Sequence, residues 1–341
     1  MAETNNNERK YGHLITVILC TLAIPLSMSF WIINLISTKF ITNHEGFDEP
    51  VVISPARWLA CCLIPLGFAV HAFRRNKVTL SGAIVGGIIA FILTLSNYSF
   101  LSCLIAFFLS ASKATNVQSH IKRKLEADFK EGGQRSWVQA VCNAGMATQL
   151  ALLYLLDVGA SERPIDFIKD YRASWLSVGV LGVFACANGD TWASELGTVY
   201  SYSDPILITS FKRVPKGTNG GISFMGVVFS MLGGLFVGIT QFLTLFYFSD
   251  KSVWAYAPPQ WPLIVFGAVG GLVGSLIDSI LGATMQNSGL DKDGKIAAHS
   301  SLAVKHISGR NILDNNSVNL LATVLTGLLL PTVSDSLWPS F

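Results

Sequence analysis

Residues 262–282 read PLIVFGAVGGLVGSLIDSILG, and this stretch decides the class of the protein. It is 21 residues long, and Asp278 is its only ionisable side chain. A helix needs about 20 mainly apolar residues to cross the hydrocarbon core of a bilayer. The stretch therefore predicts a membrane-spanning helix that carries a carboxylate near its end.

Apolar segments of the same kind recur along the chain. Eight others lie at residues 13–36, 57–73, 79–96, 98–112, 137–156, 174–188, 222–248 and 317–333. The composition agrees, because 51% of the residues are hydrophobic and 13% are charged, whereas soluble domains carry about 25% charged residues. We expect an all-α, polytopic membrane protein with nine transmembrane helices, in which a tail at 1–12 precedes one transmembrane domain at 13–341.

The distribution of Lys and Arg predicts the orientation. With a cytoplasmic N-terminus and nine alternating segments, 18 of the 24 Lys and Arg residues fall on the cytoplasmic side, as the positive-inside rule requires. Loops 113–136, 189–221 and 283–316 are then cytoplasmic. We expect the protein to lie in the membrane of the endoplasmic reticulum or in another endomembrane, with its functional site facing the cytoplasm. A net charge of +3 does not indicate a nucleic-acid surface.

Loop 113–136 has a helical repeat of its own. Ile121, Leu125 and Phe129 recur every four residues among charged side chains. This pattern favours a short amphipathic helix on an anionic membrane surface, and a solvated charged loop is the alternative.

Four polar clusters lie at the predicted cytoplasmic ends of the second half of the segments. They are residues 188–197, 212–221, 274–286 and 314–319. Because their segments alternate in direction, we expect Asp190, Glu195 and Asp278 to share one pocket. An ionisable group deep in a membrane helix is by default a candidate for function. Helix capping is the alternative for Asp190, and also for Asp314.

Carboxylates beside a glycine-rich loop are typical of a nucleotide site. Asp190, Glu195 and Asp278 are the candidate catalytic and metal residues, since Mg²⁺ is usually held by one or two carboxylates and substrate phosphates. Small residues before a helix N-terminus favour a phosphate. The candidate nucleotide-binding residues are Lys216, Gly217, Thr218, Asn219, Gly220, Gly221, Asp314, Asn315, Asn316 and Asn319.

These motifs resemble a known family. They are Gly189-Asp190-Thr191-Trp192-Ala193-Ser194-Glu195, Gly217-Thr218-Asn219-Gly220-Gly221, Asp278-Ser279 with Gly282-Ala283-Thr284, Asp314-Asn315-Asn316 with Val318-Asn319, and Glu131-Gly132-Gly133-Gln134-Arg135 with Trp137, Gln139 and Asn143. Together they are similar to the domain-of-unknown-function-92 membrane family, and within that family they resemble the animal branch. The similarity covers nearly the whole chain after about residue 55.

The resemblance implies an activity. A related branch of that family is the phytyl-phosphate kinase, so the expected function is a kinase that transfers a phosphoryl group from a nucleoside triphosphate to an isoprenyl monophosphate. The expected donor is CTP and the expected cofactor is Mg²⁺. Lys113, Arg135 and Asn143 are the candidates for binding the lipid phosphate.

Two alternatives stay open at this stage. A cytidylyltransferase that makes a CDP-lipid would use the same metal, nucleotide and lipid phosphate. A membrane transporter or a regulator without catalytic activity would also carry Asp278 and glycine-rich helices. The partners expected for the enzyme are an isoprenoid lipid phosphate, a nucleotide and the bilayer, with no nucleic acid.

Overall fold

The computed structural model describes residues 21–38, 52–117, 134–297 and 305–338. The long helices of this part of the chain are α1 Thr21–Thr38, α2 Pro55–Arg74, α3 Leu80–Ser96, α4 Tyr98–Asn116, α5 Trp137–Asp157, α6 Tyr171–Trp192, α7 Phe224–Phe248, α8 Pro262–Met285 and α9 Asn315–Leu337. The amphipathic helix expected around 121–129 lies outside the described residues.

Seven of these helices are long and apolar enough to cross a membrane. The other two are α3, which has 17 residues, and α6. The chain is therefore a mainly helical, multi-pass membrane protein, as expected. The count of nine spans and the cytoplasmic N-terminus stay predictions.

Helix α6 is the centre of the bundle. Sixteen of its 22 residues are buried, and it contacts α4, α5, α7, α8 and α9. A helix that is enclosed by protein on all sides does not need the apolar surface of a lipid-facing helix. This burial explains why Ser174, Ser177 and Asn188 are accommodated in α6, all within 1% exposure.

Glycines allow α6, α7 and α8 to approach each other at backbone distance. A Cβ at Gly189 in α6 would lie 2.7 Å from the Cα of Gly271 in α8. A Cβ at Gly234 in α7 would overlap the carbonyl oxygen of Gly267 in α8. Small residues at such crossings are the usual basis of helix packing in membranes.

The helices alternate in direction, which gives the bundle two distinct ends. At one end Arg57, near the start of α2, forms an ion pair of 2.5 Å with Glu162 in the α5–α6 loop. The same guanidinium lies 4.3 Å from the ring centroid of Tyr98, at the start of α4. The other end, where α6 and α8 end and α5, α7 and α9 begin, is called the site end below.

Short strands lie at the site end. The strands are β1 Ile206–Leu207, β2 Gly221–Ile222, β3 Ser288–Leu290, β4 Ile296–Ala297 and β5 Lys305–Ser308. β1 pairs with β2, and β3 pairs with both β4 and β5, all antiparallel. These strands are not predictable from the sequence, because two to four residues are too few to show an alternating pattern.

Candidate functional site

A polar cavity of about 1170 Å³ opens at the site end. Its wall includes most residues selected from the sequence, namely Asp190, Glu195, Asp278, Lys216, Gly217, Thr218, Asn219, Gly220, Gly221, Asp314, Asn315, Asn316, Asn319, Arg135 and Asn143. Four clusters separated by up to 130 positions in the chain thus surround one space, because α6, α7, α8 and α9 alternate in direction.

Two carboxylates form the deep part of the wall. Ser275, one turn before Asp278 in α8, donates from its hydroxyl to Asp190 Oδ1 in α6 at 3.2 Å. The Asn319 carboxamide, with its nitrogen facing the carboxylate, donates to Asp278 Oδ2 at 3.1 Å. In this orientation the Asn319 nitrogen also donates to the Asn315 carbonyl at 3.1 Å. Helices α6, α8 and α9 are therefore linked through polar groups at the cavity wall.

A π-helical turn brings the third carboxylate to the cavity. Residues Ala193–Gly197 form this turn directly after α6. A continuous α-helix would place Asp190 and Glu195 on different faces, whereas the wider turn, whose hydrogen bonds join residues five positions apart, changes the direction in which Glu195 leaves the helix. A Cβ at Gly197 would lie 2.6 Å from the Cα of Gly226 in α7, so the turn packs closely on the next helix. The shared wall of Asp190 and Glu195 depends on this irregularity.

The donor groups of the cavity could hold Mg²⁺ only together with a substrate phosphate or water. No three of the His, Cys, Asp and Glu side chains in the described ranges lie close enough together to form a ready metal cluster. Mg²⁺ is more often held by one or two carboxylates together with substrate phosphates and water. Asp190 and Asp278 supply two carboxylates of that kind. Ser275 and Asn319 orient them, which is the usual role of groups behind metal ligands.

The loop from Lys216 to Gly221 is folded as a turn against α8 and β3. Gly217 and Gly220 have φ values of +89° and +78°, which favour glycine. A Cβ at Gly220 would also overlap the side chain of Ala283. The Lys216 ammonium donates to the Ser201 carbonyl at 2.5 Å.

This folding changes the role expected for the loop amides. The amides of Thr218 and Gly221 donate to carbonyl groups of the same turn, and the amide of Asn219 donates to Ser288 Oγ at 3.1 Å. These three amides are therefore already used inside the protein and do not form an open phosphate cradle. Lys216 supplies the positive charge of this loop.

Asp314 caps the N-terminus of α9, which agrees with the helix-capping alternative for this residue. Its carboxylate accepts from the Ser317 amide at 2.9 Å and from the Ser317 hydroxyl. These hydrogen bonds hold the pKa of the Asp314 carboxyl below its usual range. Asp190, in contrast, lies inside α6 and does not cap it.

Arg135 places a positive charge between the cavity and the helices of the first half. Its guanidinium lies 5.2 Å from the ring centroid of Phe107 and 5.0 Å from that of Phe108. Burial lowers its pKa to about 10, and the nearby Glu195 carboxylate opposes this shift. The group is therefore cationic at neutral pH. Its Nη1 is buried and has no hydrogen-bond partner among the described residues.

Lys113 does not join this site. It is exposed in the last turn of α4 and does not line the cavity, whereas Thr115 does. Two positions along an α-helix differ by about 200° in direction, so the two side chains cannot face the same space. Ser275 is a site residue that was not among the candidates, although its spacing of three residues from Asp278 puts both on one helix face.

Comparisons with known proteins cover this whole site. The chain matches the family described as integral membrane protein DUF92 over residues 63–327. It is 40% identical over 274 residues to protein PGR of Arabidopsis thaliana, covering 80% of this chain and 94% of PGR. It is 26% identical over 271 residues to an uncharacterized membrane protein of Methanocaldococcus jannaschii, covering 80% of this chain and 90% of that protein.

A more distant relative is the chloroplastic protein VTE6 of Arabidopsis thaliana. The identity is 26% over 190 residues, covering 55% of this chain and 49% of VTE6. No solved structure matches the chain significantly. The residues matched by the family include Asp190, Glu195 and Asp278, the glycine-rich loop and most of α9. The chain therefore belongs to the DUF92 family of integral membrane proteins.

Proposed function

We propose that the protein is a polyprenyl monophosphate kinase, which transfers the terminal phosphoryl group of a nucleoside triphosphate, CTP first among them, to an isoprenoid lipid phosphate. One observation carries this proposal. Two carboxylates, a glycine-rich loop with Lys216, and the guanidinium of Arg135 surround one cavity at one end of a membrane bundle. Family membership adds to it, because the motifs resemble those of the phytyl-phosphate kinase branch.

The placement of the cations supports a cytoplasmic site end. Among the described residues, the site end carries Arg74, Arg75, Lys77, Lys113, Arg135, Lys212, Arg213, Lys216, Lys292, Lys295, Lys305 and Arg310, and the other end carries Arg57, Arg163, Lys169, Arg172 and Lys251. This imbalance favours the cytoplasm, where nucleoside triphosphates are abundant, for the site end.

The arrangement suits a reaction between two anions. Phosphoryl transfer needs in-line positioning and neutralisation of charge more than it needs covalent help from the protein. Lys216 lies on the loop side of the cavity, and Arg135 lies on the side of α4 and α5. We assign the nucleotide phosphates to the first cation and the lipid phosphate to the second. Mg²⁺ held by Asp190 and Asp278 would neutralise the terminal phosphates of the nucleotide.

The bonds balance without a further reactant. An oxygen of the lipid monophosphate forms a bond to the terminal phosphorus of the nucleotide, and the bond from that phosphorus to the bridging oxygen breaks. The products are a nucleoside diphosphate and a lipid diphosphate. No general base is needed, because a phosphate monoester is largely ionised near neutral pH. The Glu195 carboxylate lies near Arg135 and the Asn319 carboxamide donates to Asp278, so these two side chains would hold the cationic and the acidic group in place.

The nucleotide assignment is tested by replacing Lys216 with Met. With Mg²⁺, CTP and geranylgeranyl monophosphate, the wild-type protein should form the diphosphate. The Lys216→Met protein should show a KM for CTP raised by about tenfold, since one charged hydrogen bond contributes on the order of 1.5 kcal/mol. Its KM for the lipid should stay unchanged.

Lys212→Met is the matched control. Lys212 lies four residues before Lys216, in the same connection between β1 and β2. It is exposed and does not line the cavity. Its replacement should leave both KM values at the wild-type level. Equal KM values for CTP in the wild-type and Lys216→Met proteins would show that Lys216 only ties the loop to Ser201.

A further inference from the structure

A narrow apolar groove adjoins the polar cavity between α2, α3, α4 and α5. Its volume is about 70 Å³. Most of its wall is apolar, with Phe68, Ile89, Leu104 and Phe108 among the lining residues. The groove shares Phe107, Arg135, Ser136, Gln139 and Asn143 with the polar cavity. The two spaces therefore meet at Arg135.

Gly86 in α3 leaves this groove open. It lines the groove, and a Cβ built on it would meet no atom within 4 Å. The glycine is therefore not needed for close packing, unlike Gly189 and Gly234. Glycine inside a helix is less favourable than alanine, and at Gly86 the missing side chain leaves the groove open.

Arg135 is held in place by its backbone where the groove meets the polar cavity. The Arg135 amide donates to the Lys77 carbonyl at 3.0 Å, and its carbonyl accepts from the Thr79 amide at 3.1 Å. A Cβ at Gly82 would overlap that same carbonyl oxygen. The backbone is thus held tightly, and the guanidinium lies over the rings of Phe107 and Phe108. Its buried Nη1 has no partner within the described part of the chain, which leaves a donor for an anion.

We propose that this groove holds the first part of the single apolar chain of the lipid monophosphate, with Arg135 on its phosphate. The inference rests on the proposed function and adds the place where the lipid chain binds. Because the groove has a volume of only about 70 Å³, it has room for one chain beside the phosphate. Phosphatidic acid, whose two chains leave the same headgroup, should therefore bind less well than a single-chain isoprenyl phosphate. The rest of the chain passes between the helices into the bilayer.

The test narrows the groove by replacing Gly86 with Leu. Purified protein in nanodiscs is labelled with a diazirine-bearing geranylgeranyl monophosphate without nucleotide, and turnover is measured with geranylgeranyl and with dimethylallyl monophosphate. Wild-type protein should be labelled on α3 and α4. Gly86→Leu should lose that labelling and show a KM for the long substrate raised by at least about tenfold. Its KM for the short substrate should change little. Gly86→Ala should give a smaller shift of the same kind, and it serves if the Leu protein does not fold.

Gly67→Leu is the control. Gly67 in α2 also has no atom within 4 Å of a built Cβ, but it does not line the groove. Its labelling and KM values should match those of the wild type. Labelling outside α2 to α5, or displacement of the probe by phosphatidic acid as readily as by unlabelled geranylgeranyl monophosphate, would overturn the inference. Labelling of the groove without formation of diphosphate would instead retain the groove and refute the kinase.

Discussion

Replacing Asp278 with Asn should reduce phosphoryl transfer by about 10²–10³-fold, the loss that follows removal of one group stabilising charge in a transition state. The Asn side chain keeps the shape of Asp278 and can still accept the hydrogen bond from Asn319. It removes one unit of negative charge from the expected Mg²⁺ site. The measurement is the turnover number at saturating CTP and lipid phosphate, together with the yield and thermal stability of the purified protein.

Asp335→Asn is the matched control for this substitution. Asp335 lies in α9 close to the end opposite the cavity and does not line it. Its replacement should leave turnover at the wild-type level. If Asp278→Asn turned over as fast as wild type, the assignment of the acidic pair to the metal would be wrong.

Among the glycines inside the membrane helices, the largest effect on stability is expected at Gly234. A Cβ there would overlap the Gly267 carbonyl oxygen and lie 2.8 Å from the Cα of Gly271. Both contacts are with the backbone of α8, so a rotamer change cannot relieve them. Gly234→Val should therefore destabilise the bundle by about 3 kcal/mol, at the upper end of the usual cost of overpacking. Thermal unfolding in detergent would show a clear fall in Tm.

Gly67→Ala is the control for this effect, because a Cβ at Gly67 in α2 meets no atom within 4 Å. Alanine is also the better helix former, so the Tm should stay the same or rise slightly. An unchanged Tm for Gly234→Val would mean that α7 and α8 do not cross at backbone distance.

Much of the fold could be predicted from the sequence, because apolar length and the positions of charges follow directly from the properties of a bilayer. The nine segments correspond to the nine long helices of the described residues, with ends that differ by a few positions, except that the predicted start of the first segment at residue 13 lies outside the described residues. The ends of helix α6 are among the hardest to predict from the sequence. Its low apolarity reflects enclosure by protein rather than contact with lipid, and a sequence does not state which helix is central.

The site was predictable in outline for a simple geometric reason. Segments that alternate in direction bring the end of one and the start of the next to the same side of the membrane, which is why Asp190, Glu195 and Asp278 are expected to share one pocket. Finer features depend on backbone irregularity. The π-helical turn that turns Glu195 to the cavity and the internal hydrogen bonds of the Thr218 and Asn219 amides have no counterpart in residue spacing.

The groove beside Arg135 was not predictable from the sequence at all. Its walls come from α2, α3, α4 and α5, and Gly86 looks in the sequence like any other helix glycine. Lys113 shows the opposite error. A lysine near a predicted helix end is a reasonable candidate for binding a phosphate, but Lys113 lies on a face of α4 that does not line the cavity.

The most direct test of the central claim follows two labels in one reaction. Purified protein, Mg²⁺ and geranylgeranyl monophosphate are incubated with CTP labelled either at the α-phosphate or at the γ-phosphate, and the lipid products are separated. A kinase transfers the γ label to a lipid diphosphate and releases CDP. We expect this result, with no α label in the lipid. Transfer of the α label with release of pyrophosphate would show a cytidylyltransferase, and transfer of neither label, with CTP or any other nucleoside triphosphate, would contradict the assignment of catalysis to this cavity.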